Sequence, residues 1–254
     1  QLRSKHATLK FKKQMVRAIL DETLFYGVES LVLSPQQIQQ YESARLHALR
    51  AMRNITRWDQ QIRHLSAKRL LADYHMCTAK EKIMRKAFNF AAKILTKAPT
   101  SSPERMLFGA PTMHWVDGEH KVELKPHGRH QSYANTFARY LEDRAFQLWY
   151  YVKVMGKDVG ELDYLYVCKA LLRFKGTQRE MTFDKTWMDL LSESPEIWDH
   201  VVRYGQFEPR NPEETDQERR QKRQNSFAPQ VPQDYITGMG GRVRLRQIIY
   251  HANN

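Results

Sequence analysis

Ser34-Pro35 marks a helix start in two residues, and it sets the period in which the next stretch must be read. A serine oxygen can cap the orphan amides of a first turn, and proline is tolerated only in that turn. From Pro35 to about Arg53 the apolar residues then follow a helical spacing. At about 100° per residue, Ile38, Tyr41, Ala48, Leu49, Met52 and Ile55 share one side. His47, Arg50, Arg53 and Arg57 fall on the other. The apolar side is expected to pack, and the arginine side to meet solvent or phosphate.

The same period runs through most of the chain. Residues 6–27 read as one helix, with Leu9, Met15, Ile19, Leu20 and Leu24 among lysines and Gly27 as its stop. Ser66 opens another helix, with Leu70, Leu71 and Tyr74 inward. Residues 79–98 form a third, apolar at Ile83, Met84, Ala87, Phe88, Phe90, Ala91, Ile94 and Leu95. Its Lys80, Lys82, Arg85, Lys86, Lys93 and Lys97 are expected to extend the basic surface. The run Ala98-Pro99-Thr100-Ser101-Ser102-Pro103 is a break, followed by a short helical turn to Phe108. Residues 109–130, with Gly109, Pro111, Gly118, Pro126 and Gly128, predict an irregular loop or a short hairpin.

Helices resume over 132–155 and 161–174. Thr182 caps another segment with Phe183, Trp187, Leu190 and Leu191 inward, and Ser194-Pro195 starts a last one carrying Ile197, Trp198, Val201 and Val202. Residues 208–234 are polar with no core of their own, and Arg242, Val243, Arg244, Leu245 and Arg246 suit a short strand or an arm along a polyanion. The expected fold is mainly α: a basic helical bundle, a second helical module and an extended basic C-terminal tail. The boundaries are a basic helical region over 1–98, an irregular linker over 99–130, a helical module over 131–207 and a polar, basic extension over 208–254.

Charge narrows the partner. The 254 residues carry a formal net charge of +13. Residues 1–100 hold 19 Lys+Arg against 7 Asp+Glu, a local +12, whereas residues 101–216 come to −4 and 217–254 to +5. Such a gradient favours an anionic partner, nucleic acid before an anionic membrane surface. Two cysteines, Cys77 and Cys168, make no disulfide framework, so a reducing compartment is expected. No apolar run approaches the roughly 18–20 residues that span a bilayer. The first residue is Gln rather than Met, which fits a processed product, and no cleavable presequence is visible.

Motifs for catalysis are missing from the sequence. His75 with Cys77, and His127 with His130, lack zinc-finger spacing, and Cys168 stands alone. There is no Gly-x-Ser-x-Gly elbow and no phosphate-cradling loop with a lysine. Gly238-Met239-Gly240-Gly241 reads as a hinge, and Glu29 as a cap or ion-pair partner. No catalytic residue, metal ligand, cofactor or small-molecule substrate is therefore expected. The candidate site is a phosphate-binding set: Lys10, Lys12, Lys13, Arg17, Arg50, Arg53, Arg57, Arg63, Lys68 and Arg69, with Arg242, Arg244 and Arg246 in the tail. Such cations give salt-sensitive binding without sequence readout. Trp58 and Tyr41 have the ring faces to stack on bases, but packing in the core is the expectation for both.

One ordered set of motifs resembles a known family. Tyr26-Gly27-Val28-Glu29, Leu33-Ser34, Ile38, Tyr41-Glu42, Leu49-Arg50 and Trp58 resemble the thumb region of non-LTR retrotransposon reverse transcriptases. Arg85 to Lys97 is similar to the basic-aromatic helix that follows there. The run Pro103-Glu104-Arg105-Met106-Leu107-Phe108-Gly109 resembles the next short element, and Pro126-His127-Gly128-Arg129 its Gly-Arg turn. Asp184-Lys185-Thr186-Trp187 through Trp198 resemble the closing tryptophan-containing helices, so the likeness covers about 26–203. Those enzymes hold two metals on palm aspartates. No Asp-Asp pair occurs in this chain, and too few residues precede Tyr26 for fingers and palm. Leu31 stands where the family usually has Trp, and the family's occasional Cys/His cluster is missing. The resemblance implies a helical fragment that grips nucleic acid without polymerising it.

The resulting expectation is a non-catalytic RNA-binding structural subunit of a large ribonucleoprotein, with a mitochondrial ribosome as host, rRNA and neighbouring proteins as partners, and the mitochondrial matrix as compartment. Two alternatives stand beside it. One is a structural accessory subunit of a respiratory or photosynthetic complex, its cations facing acidic partners or lipid heads. The other is an accessory part of a split reverse transcriptase or maturase.

Overall fold

The computed structural model describes residues 6–74, 76–97, 107–108, 110–116, 119–125, 132–154, 164–172, 187–193 and 195–203. Over these residues the chain is mainly α-helical, with one two-stranded sheet. It divides into two compact units, one reaching to Ala87 and the other starting at Phe88. The sequence readings of 99–106, Thr182 and 208–254, and of His75, His127 and His130, lie outside the described residues.

In the first unit, α1 (Leu9–Met15) starts at Thr8, whose hydroxyl accepts from the Phe11 N–H. It runs into a π-helical turn, Val16–Asp21, and then α2, Glu22–Leu24. A π turn holds more residues than an α turn and so rotates the face that points inward. Lys12, Val16 and Asp21 are buried, while Leu9 and Ile19 lie exposed. The single α period expected over 6–27 fails for that reason. Gly27, at φ 68°, then turns the chain through a conformation that a Cβ disfavours.

Helix α3 spans Pro35–Arg53 and is fixed at its start by a capping box: Ser34 Oγ accepts from Gln37 N–H, and Gln37 Oε1 from Ser34 N–H. Asn54, at φ 52°, ends it. A separate short helix, α4 (Arg57–Ile62), follows on a second capping box between Thr56 and Asp59. Helix α5 (Ala67–Asp73) begins at Ser66, as its sequence predicts. The core packs Val16, Ala48, Leu49, Met52, Leu70, Leu71, Tyr74 and Met76 together. The apolar side assigned to α3 is thus the buried side at Ala48, Leu49, Met52 and Ile55.

Beside this core lies a buried charge. Arg45 is 1% exposed and belongs to the inward side of α3. Its Nε donates to Asp21 Oδ1 at 3.0 Å and its Nη1 to the Cys77 carbonyl at 2.7 Å, with Glu42 Oε2 at 3.4 Å. Its guanidinium also lies 5.3 Å from the Phe25 ring centroid. Glu42 in turn accepts from the Ala79 N–H, the first residue of α6 (Ala79–Lys97). Lys82 closes the network, reaching Asp21 at 3.2 Å and Glu22 at 3.0 Å.

The second unit takes α6 from Phe88 onward, a turn at Leu107-Phe108, and an antiparallel hairpin of β1 (Ala110–Val116) and β2 (Glu119–Lys125). The register pairs Ala110 with Lys125 and Val116 with Glu119. The hairpin therefore falls within the stretch read as loop or hairpin. Helix α7 (Tyr133–Trp149) ends in a π-helical turn, Tyr150–Val154, and α8 (Tyr164–Leu172), α9 (Trp187–Glu193) and α10 (Pro195–Val202) follow. Aromatic rings hold them: Phe137 lies 4.9 Å from Phe108 and 5.1 Å from Trp187, centroid to centroid, at steep angles. Trp198 Nε1 donates to the Phe88 carbonyl at 3.3 Å, so its polar edge is satisfied inside the core.

Tyr140 on α7 is less well served. Its hydroxyl is buried with no hydrogen-bond partner among the described residues. Burial first, and the Asp143 charge second, push its ionisation up to about 12 from the ordinary 10.0. The unfolded chain loses this proton first as pH rises. The stability contribution of a neutral Tyr140 is therefore intact below pH 10 and is lost as pH climbs toward 12, by at most about 2.7 kcal/mol. Tyr140→Phe is expected to remove that loss and to stabilise the neutral-pH protein by about 1 kcal/mol, since a buried unsatisfied hydroxyl disappears. Urea unfolding of both proteins at about pH 8 and about pH 11 checks it; an equal drop in both with pH would show that Tyr140 is not the group responsible.

Candidate nucleic-acid interface

The cations singled out in the sequence separate into two groups. Lys12 is buried at 7% exposure. Lys13, Arg17 and Arg53 gather around the end of α5. Arg17 Nη2 donates to the Tyr74 carbonyl at 2.7 Å, and Lys13 Nζ reaches the Asp73 carbonyl at 3.5 Å. Arg53 donates to Asp73 Oδ2 at 2.6 Å and to the Tyr74 hydroxyl at 3.2 Å. Lys13 and Arg53 both lie over the Tyr74 ring, at 5.2 and 5.3 Å. Burial alone would lower the Arg53 pKa, but the hydrogen bonds to Tyr74 and Asp73 outweigh it and raise it. These groups tie α1, the π-helical turn, α3 and α5 together, their donors are already engaged, and Arg53 is paired with the Asp73 carboxylate.

The second group is open. Lys10, Arg57, Arg63, Lys68 and Arg69 are exposed. No ion pair holds any of them among the described residues; Asp59 caps α4 through the Thr56 N–H and hydroxyl, and those bonds first, with the Arg63 charge a lesser cause, hold its pKa below the ordinary value. Between Ser43 and Ala72 the chain has seven Lys+Arg and only that one acid. Arg50 is half-buried; its Nη1 donates to Gln60 Oε1 at 3.1 Å, a neutral partner. Burial first, and the nearby Arg57 charge second, lower its pKa. Two guanidinium groups thus stand within electrostatic reach of each other, which is the condition a phosphate relieves.

Helix α6 is a correction in part. Three of its six cations are neutralised: Lys82 by Asp21 and Glu22, Lys86 by Glu22 at 3.7 Å, and Arg85 by Glu81 at 2.7 Å, while Lys80 and Lys93 are exposed. Arg85 is held protonated more firmly for it, as Glu81 overcomes the cost of burial. The hydrogen bond from Lys82 likewise holds Glu22 below its ordinary value. The open basic surface of the first unit is therefore drawn mainly from the C-terminal half of α3, α4 and α5, and Lys82, Arg85 and Lys86 of α6 do not extend it. Arg242, Arg244 and Arg246 lie outside the described residues.

Two aromatics also part ways. Tyr41 is half-buried and stacks on Phe25 at 5.3 Å between centroids. Trp58, expected in the core, is 68% exposed, and Ile62 on the same helix is 59% exposed. The signal for Trp58 lay in Thr56 and Asp59, whose capping box restarts the helix and turns this residue out of the α3 period. Among the described residues no three His, Cys, Asp or Glu side chains come together as a metal site, and no helix is long and apolar enough to cross a membrane.

Comparison with protein families, with curated proteins and with solved structures finds no match for this chain.

Proposed function

We propose that this protein is a non-catalytic RNA-binding structural subunit of a large ribonucleoprotein, with a mitochondrial ribosome as the host. The observation that carries the reading is the run of exposed cations with no ion pair among the described residues, Arg57, Arg63, Lys68 and Arg69, in the stretch that follows Arg50. A surface of this kind suits phosphate contacts that position a protein on RNA without reading its sequence. Descent from a reverse-transcriptase thumb belongs to the same reading and rests on the ordered motifs over 26–203 alone.

The test is binding of the whole chain to an rRNA fragment as salt is raised. Four to five phosphate contacts predict a slope of log K against log [salt] of about −3 to −4, and a loss of about 10²-fold between 50 and 200 mM. Failure to bind at low salt would sink the proposal.

A second reading, a structural subunit held by protein contacts, draws on another observation. Tyr26 is 87% exposed, and Leu31 and Val32, a few residues further along the chain, are 46% and 37% exposed. Large apolar side chains grouped in this way suit a protein neighbour. Copurification with a protein complex that survives nuclease and contains no RNA would favour that reading.

A further inference from the structure

The open surface contains one residue that phosphate binding does not explain. Trp58 projects into solvent from a helix of only six residues. Gln60 fixes how that helix is oriented: its Oε1 accepts from Arg50 of α3, and its Nε2 donates to the Leu65 carbonyl at 2.8 Å. At about 100° per residue, Trp58 lies some 160° around α4 from Gln60, and Ile62 some 40° from Trp58. With Gln60 turned to α3, the Trp58 face is therefore turned away from it. The Thr56–Asp59 capping box at one end and the left-handed His64, at φ 49°, beyond the other make this a fixed turn rather than a fraying one.

An indole held outward beside cations is suited to stacking. Every base has a face to offer it, whereas the faces of paired bases are covered within a duplex. Charge complementarity selects the occupant: Arg57 precedes Trp58 in the chain and Arg63 follows Ile62, two cations with no ion pair among the described residues against one carboxylate, Asp59, whose oxygen is taken up in capping α4. An acidic protein segment would satisfy the charges but would leave the indole without a specific role.

We propose that Trp58 is a stacking platform for an unpaired base of single-stranded RNA, with Arg57 receiving the adjoining phosphate. This rests on the RNA-binding reading above and narrows its ligand to unpaired nucleotides.

The experiment compares wild type, Trp58→Phe and Trp58→Ala against a single-stranded oligouridine and an RNA duplex of equal length, at low salt. Trp58→Ala is expected to weaken single-strand binding by about 5- to 100-fold, with Trp58→Phe retaining most of it. Duplex affinity and the salt slope should stay as in wild type. The difference in tryptophan fluorescence between wild type and Trp58→Phe should be quenched by the single strand. Because Trp58 is exposed, circular dichroism should show both variants folded.

Wild-type binding that Trp58→Ala leaves intact on both RNAs would overturn the stacking role while keeping the RNA-binding reading. Absence of wild-type binding to either RNA would overturn both. Loss of a protein neighbour in Trp58→Ala, with RNA affinity unchanged, would assign Trp58 to a protein contact and also overturn the stacking role.

Discussion

Arg45→Ala is expected to destabilise the first unit by about 3–5 kcal/mol, the range for breaking a buried, hydrogen-bonded ion pair by removing one partner. Asp21, 5% exposed, would keep only Lys82, and the Cys77 carbonyl would lose its guanidinium donor. Glu42 would still accept from the Ala79 amide, but without the cation that offsets its charge. Arg45→Lys keeps the charge and loses the fork. A lysine has no planar guanidinium to serve Asp21 and the Cys77 carbonyl together, so a loss of about 1.5–3 kcal/mol is expected. The double replacement Arg45→Met with Asp21→Asn should recover part of the stability, because Asp21 then leaves no charge inside, Lys82 keeps Glu22, and only the less deeply buried Glu42 has lost its cation. Urea unfolding followed through hydrogen exchange of the α3 amides gives the comparison. A loss below about 1 kcal/mol in Arg45→Ala would show that Lys82 alone suffices for Asp21.

That network also shows where sequence reasoning stops. Ser34-Pro35 and Ser66 mark their helices because a cap acts on the next three residues and needs nothing from elsewhere. Arg45 carries no such local mark: its carboxylate partner Asp21 lies 24 residues upstream, and only the folded unit brings them together. Two cations of α6 fail for the same reason. Lys82 and Lys86 look like surface charge until Glu22, some sixty residues earlier, is placed beside them. Trp58 is the converse case, since hydrophobicity argues for burial and a local capping box decides otherwise. The charge excess of the N-terminal third was legible because charge adds up residue by residue. Which of those charges stay open was not, because that depends on which carboxylates the fold has already used.

The consequence for binding can be measured. Replacing Arg57, Arg63, Lys68 and Arg69 together by Gln is expected to weaken RNA binding by on the order of 10²- to 10³-fold at low salt and to flatten the salt slope by about 3. Stability should change by little, since all four side chains are exposed and none is in an ion pair among the described residues. Replacing Lys13, Arg17 and Arg53 by Gln should do the reverse. Those groups hold Asp73 and Tyr74, so the first unit should loosen while the slope changes by less than one contact's worth, about 0.9 or below. Thermal unfolding and salt-dependent RNA binding on the two multiple variants separate the roles. If the slope flattened equally in both, the division into engaged and open cations would be wrong, and the whole N-terminal third would act as one diffuse basic surface. If it flattened only in the first, the phosphate contacts would lie on the same short stretch from which Trp58 projects. Loss of the indole would then lower affinity with the slope unchanged, and loss of the cations would lower both.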